Sequence, residues 1–220
     1  MVENAPRKSS VPVWAYVVGA LVLLLCLCGV AGTVGFFVLR DKVQDAAATE
    51  PGADQSIDPT LPWQQQLTKI SGVRVYTPDS LGRNHVAEDE AVYPQSPPVG
   101  GDHAQVWQNC QGAVYPVPVP NARAVHSLEH GAVWITYRPD LDAAQVKTLT
   151  DKVAGRDYLL LSPYQDLDAA VSVQAWGYQL KVDSADDPRL DAFITAARIN
   201  AAPEPGAPCA GGTTETGPIQ

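Results

Sequence analysis

The chain has 220 residues and a formal net charge of −9, enough length for one domain of ordinary size with attachments. Residues 1–40 hold three of its 15 Lys and Arg residues and one of its 24 Asp and Glu residues, so residues 41–220 carry 12 basic against 23 acidic groups, a net −11. That balance repels phosphate backbones and anionic headgroups and excludes nucleic acid as a partner; attraction of cations fits its sign, as does solubility alone.

Residues 1–10 form a short tail with Arg7 and Lys8, and Val11 to Leu39 follow without a charged residue. Roughly 20 apolar residues span a bilayer as a helix, so 11–39 reads as a transmembrane signal-anchor with some tilt to spare. A cleaved signal peptide has a shorter apolar core of about 7–15 residues, although Ala31 and Gly32 imitate a cleavage site and leave cleavage open. Arg7 and Lys8 on one flank nearly balance Arg40 and Lys42 on the other, so charge alone does not set the orientation. The short tail is assigned to the cytoplasm, which makes the chain a single-pass cell-membrane protein with an extracytoplasmic C-terminal domain and the lipid bilayer as a partner. Cys26 and Cys28 each follow a leucine within the apolar run and read as buried thiols rather than lipid attachment points.

Residues 40–62 are polar, small and broken by prolines, which predicts a flexible linker. The folded domain is expected over 63–202, and the Pro/Gly-rich residues 203–220 as an extended tail. Within the domain "VRVY" (73–76) predicts a strand, and "YPQSPPVGGDH" (93–103) and "YPVPVPN" (115–121) predict extended loops. "ARAVHSLEH" (122–130) reads as a short helix, with Asn121 as its cap and Gly131 as its stop, or else as a turn. "AVWITY" (132–137) predicts a strand and "DLDAAQVKTLTDKVAG" (140–155) a helix ending near Gly155. "YLLLSP" (158–163) and "AVSVQAWGYQLKV" (170–182) predict strands, and "DDPRLDAFITAARIN" (186–200) a closing helix that tolerates Pro188 in its first turn. The expected fold class is α+β: a mainly antiparallel sheet with two packed helices, for which a ferredoxin-like connection is one solution.

All four histidines, His85, His103, His126 and His130, fall in the irregular stretch before the regular strands and helices. On a helix His126 and His130 share a face, with Cβ atoms about 5–6 Å apart, and two such imidazoles can bind one ion. Gly100 and Gly101 permit the sharp turn that would present His103, and Asp102 offers a carboxylate to its second ring N–H. His85, beside Glu88, Asp89 and Glu90, is a fourth candidate. Metal ligation by His103, His126, His130 and His85, with Glu129 and Asp102 as supporting carboxylates, is the expected site. Imidazoles without methionine (Met1 is the only one) suit Cu(II) or Zn(II) as the cofactor and not a dedicated Cu(I) carrier.

"HSLEH" also has the H-x-x-E-H spacing of inverted zinc proteases, with Glu129 as base, but those set the motif on a long helix, and here Gly131 and a strand follow at once. Ser162 lacks a histidine partner by spacing, so no catalytic residue is assigned. Trp107, Tyr115, Trp134, Tyr137, Tyr164 and Trp176 invite a carbohydrate reading, against which core packing is the commoner role. Outside the apolar run only Cys110 and Cys209 remain. In an oxidising compartment they pair most simply, tying the tail to the histidine region; the rival reading makes Cys110 a thiolate ligand.

Taken together, "YPQSPPVGGDH", "W-x-x-C", "AVHSLEHGAVWITYRP", "LLSPY", "AWG" and "PEPGAPC" resemble a bacterial family known as domain of unknown function 3105. The resemblance covers roughly residues 65–212, and Val125 to Pro139 is its most specific block. It implies a secreted or membrane-anchored protein, places emphasis on His103, Cys110, His126, Glu129, His130 and Cys209, and brings no catalytic activity with it. The combined expectation is a membrane-anchored metal binder. A metal-free module that docks an envelope protein partner is the alternative, and a zinc hydrolase is a third reading.

Overall fold

Alternating apolar residues give this domain a sheet with two buried faces. The computed structural model describes residues 57–217. The apolar run 11–39 and the tail before it lie outside the described residues; among those described, no helix is long and apolar enough to cross a membrane.

The chain enters through helix α1 (Trp63–Lys69) and strand β1 (Arg74–Val75), then a short 3-10 turn at Pro78–Ser80. Strands β2 (His85–Val86) and β3 (His103–Ala104) form a separate two-stranded parallel ribbon. Next come β4 (Gln111–Val114), α2 (Asn121–Glu129), β5 (Val133–Tyr137), α3 (Ala143–Val153), β6 (Leu159–Pro163), β7 (Val171–Ala175), β8 (Tyr178–Val182) and α4 (Pro188–Ala197). The main sheet has the order β1-β8-β7-β5-β6-β4.

Three of its five neighbouring pairs are antiparallel (β1/β8, β8/β7 and β7/β5), and two are parallel (β5/β6 and β6/β4). The α+β class and the mainly antiparallel sheet agree with the sequence. The ferredoxin-like connection does not, because α2 and α3 act as crossovers that lay β4, β5 and β6 parallel, as parallel neighbours require. Four α-helices are present among the described residues, where two were expected; α1 is too short to show helical periodicity, and α2 was readable also as a turn.

The period of two along each strand decides which core a residue enters. Val133 and Ile135 of β5, with Leu159 and Leu161 of β6, join Val171, Val173 and Leu180 beneath α1, α3 and α4. Trp134 and Leu160, on the opposite face, pack with Val125 and Leu128 of α2. Asp142 caps α3, its carboxylate accepting from the N–H groups of Ala144 and Gln145.

The second core contains the Cys110–Cys209 disulfide, which joins residues 99 apart. The segment beyond it, expected as an extended tail, is bonded to the domain through residue 217. Thr213 pairs with Gln108 in a parallel bridge, and Asn109 N–H donates to Thr213 O at 2.8 Å. The buried Arg123 guanidinium donates to Glu215 O at 3.0 Å and Gly217 O at 2.9 Å, and pairs with Glu88. One buried cation thus ties α2, the loop after β2 and the C-terminal segment together.

Candidate metal centre

The ribbon and α2 bring distant histidines together. In the parallel register His85 stands directly opposite His103, and α2 packs on β3. The ring centroids of His85 and His103 lie 5.1 Å apart, those of His85 and His126 4.8 Å, and those of His103 and His126 4.7 Å. Glu129, three residues after His126 and on the same helix face, completes the group. One donor atom each from His85, His103, His126 and Glu129 lies within 4.8 Å of every other.

Backbone carbonyls set the rings. His103 Nδ1 donates to Gly101 O at 2.8 Å, and His126 Nδ1 donates to Ala104 O at 2.7 Å. A carbonyl can only accept, so each neutral ring carries its lone pair on Nε2, the nitrogen turned to its neighbours. Gly100 and Gly101 make this possible at φ +144° and +123°, and a Cβ at Gly100 would come within 2.7 Å of Leu81. Gly131, at φ +97°, ends α2 where a Cβ would approach Ala202 to 2.9 Å.

His103 is fully buried, and its Nε2 lies 3.0 Å from Glu129 Oε2. The approach is close enough for an ion pair, yet Nε2 has no aligned hydrogen-bond partner and is sealed from solvent. A buried ring nitrogen in that state is costly unless a proton or a cation stands between it and the carboxylate. Burial pushes His126 down to about 4, against the opposing bond to Ala104 O and with help from the neighbouring imidazoles, so its ring is neutral at pH 7. Burial acts to raise the Glu129 carboxyl; the adjoining His103, with His126 and Arg83, outweighs it and leaves the group below the usual carboxylate value. The site therefore offers neutral imidazole and carboxylate together, the protonation states that metal ligands need.

The other site residues of the sequence reading are placed as follows. His130 flanks the group, its centroid 4.6 Å from His126, with Nδ1 donating to Pro208 O at 2.9 Å. Asp102 does not reach the second nitrogen of His103, since Gly101 O takes that bond. The Asp102 carboxylate instead accepts from Asn84 N–H at 3.0 Å and from its side-chain amide, bonds that hold it below the usual carboxylate range. Glu129, expected as a supporting carboxylate, is itself among the donors. Trp107, named in the sequence only among aromatics that invite a carbohydrate reading, stands 5.6 Å from the His126 ring and 5.0 Å from the His130 ring, and sequence reasoning missed Glu204, near His130. The signal for Glu204 was present: it lies five residues before a cysteine expected to pair beside the histidines.

Neither the curated proteins nor the solved structures compared with this chain match it. The family described as "Protein of unknown function (DUF3105)" matches residues 85–211, a span that begins at the first histidine of the group and contains the other three donors and both disulfide cysteines. On that match over more than half of its length, the chain belongs to the DUF3105 family.

Proposed function

We propose that this chain is a membrane-anchored, extracytoplasmic protein that binds one divalent transition-metal ion, Cu(II) or Zn(II), through His85, His103, His126 and Glu129, and buffers it or hands it on. The observation that carries the reading is the four-donor group itself, whose most buried member, His103 Nε2, has no aligned partner. Zinc–nitrogen bonds of about 2.0–2.1 Å at tetrahedral angles set donors roughly 3.3 Å apart. The group therefore needs only a modest contraction to close on an ion. Three imidazoles and a carboxylate, without thiolate or thioether, suit Cu(II) or Zn(II). The apolar run 11–39 supports the anchor, and the disulfide supports an oxidising compartment.

The 3.0 Å contact of His103 with Glu129 favours a second reading, a metal-free module that docks an envelope partner, because a protonated His103 would satisfy that carboxylate alone. The zinc-hydrolase reading requires Glu129 as a free base, whereas its carboxylate is one of the four donors. Melting temperature of the full-length chain separates the first two readings. A ligand that binds only the native state adds about 2.7 kcal/mol at 100 times its dissociation constant. The metal reading expects Zn²⁺ or Cu²⁺ to raise the melting temperature of wild type and not that of His103→Ala/His126→Ala. An unshifted wild type leaves the docking module.

A further inference from the structure

Beyond the four-donor group, α2 leads to a third ring held in the same way. His130 Nδ1 donates to Pro208 O at 2.9 Å, so the neutral ring presents its lone pair at Nε2. The nearby carboxylate oxygen, Glu204 Oε2, is 3.9 Å from that nitrogen, too far for a hydrogen bond. The two side chains therefore face each other without a direct hydrogen bond. They also span the depth of the site: the His130 side chain is 4% exposed and that of Glu204 61%.

The segment that carries Glu204 is held on three sides. Glu204 N–H donates to Glu129 O at 3.2 Å, the Tyr158 hydroxyl donates to Ala207 O at 2.9 Å, and Cys209, next to Pro208, is bonded to Cys110. Glu204 is in this way attached to the main chain of a residue that is itself a donor of the inner group. Glu204 lies on the solvent side, and His130 and His126 are equally buried behind it, each 4% exposed.

We infer that His130 and Glu204 form a second, outer coordination position, at which a divalent transition-metal ion is held transiently between solvent and the inner four donors; this rests on the metal reading above. Two protein donors with water in the remaining positions bind more weakly than four, which suits a station that an ion must leave. The exposed carboxylate supplies the charge that gathers a cation, and His126, 4.6 Å from His130 by ring centroid, is an inner ligand placed to receive it. His85 is the exposed member of the inner group and offers a competing approach, which the experiment separates.

Full-length wild type, His130→Ala and Glu204→Gln would each be loaded with Zn²⁺ and then stripped by a chromogenic chelator in a stopped-flow instrument. Both variants should still hold one ion at equilibrium, with affinity near that of wild type, while uptake and release both slow by about tenfold, within the range of local charge effects on ion capture. Equal slowing in both directions is the mark of a transit position, since a merely structural loss would change the affinity. Unchanged rates in both variants would overturn the inference and assign the traffic to His85. Loss of the ion at equilibrium would also overturn it, by making His130 or Glu204 a resident ligand. Wild type that takes up no zinc would overturn the metal reading itself. Glu204→Gln changes an exposed side chain and keeps its shape, so an unaltered rate in that variant cannot be excused by misfolding.

Discussion

The two faces of the main sheet are built on different principles. Beneath α1, α3 and α4 the contacts are hydrocarbon on hydrocarbon, from Leu67 through Leu149 and Leu180 to Phe193. Under α2 and the loops, polar groups are buried and many are paired through directed hydrogen bonds, with His103 Nε2 a partnerless exception. Trp134 Nε1 donates to Ser162 Oγ at 3.0 Å, Gln174 Nε2 to Trp134 O at 3.2 Å, and Gln179 Nε2 to Pro97 O at 2.9 Å. His103, His126 and His130 stand on this second side, oriented by the carbonyls of Gly101, Ala104 and Pro208. One face supplies stability without directional demands. The other holds donors at fixed angles, and it is fastened by a disulfide and the buried Arg123.

That contrast is most sharply tested where the effects are largest. Phe193→Ala, at a fully buried position of the apolar face, should cost about 3–5 kcal/mol in urea unfolding, while the folded fraction keeps wild-type zinc affinity. A changed affinity would mean that the faces are not independent. Cys110→Ala/Cys209→Ala should cost about 2–5 kcal/mol and also speed zinc release, because the segment that holds Pro208 and Glu204 is freed. Stability loss without faster release would confine the disulfide to a structural role.

A smaller effect separates the faces by pH. With His126 at about 4 in the folded chain and near 6.5 unfolded, the unfolded state binds more protons between those values. Stability of the metal-free protein is then whole above pH 6.5 and falls as pH drops towards 4. His126→Gln should flatten that part of the urea-midpoint profile, and Phe193→Ala should shift the profile down without changing its slope. An unchanged slope in His126→Gln would reassign the proton. Smallest is Trp134→Phe, which removes the hydrogen bond to Ser162 and should cost about 1 kcal/mol. A cost near zero would show that the polar network adds nothing net to stability.

The same division explains what the sequence made legible. Strands β5, β6, β7 and β8 and helices α3 and α4 were readable because a face packed against hydrocarbon demands strict periodicity, as in Val133, Ile135 and the intervening Trp134. The pairing of Cys110 with Cys209 was readable from their count outside the apolar run and the compartment expected of the chain. The ribbon of β2 and β3 was not, since two residues per strand leave no pattern, and only their register sets His85 opposite His103. Helix α2 was readable in outline, although Asn121 is its first residue and Pro120 its cap. Why Glu129 joins the donors could not be seen, because that depends on β3 lying against the helix, a contact between residues more than 20 apart in the chain.

Metal content of the purified full-length chain, measured by mass spectrometry after export to an oxidising compartment, tests the central claim most directly when paired with His103→Ala/His126→Ala. The account predicts about one equivalent of copper or zinc per wild-type chain, from the four-donor group, and none in the double variant. No metal in wild type, even after loading and dialysis, would contradict it and leave His103 and Glu129 as a buried ion pair.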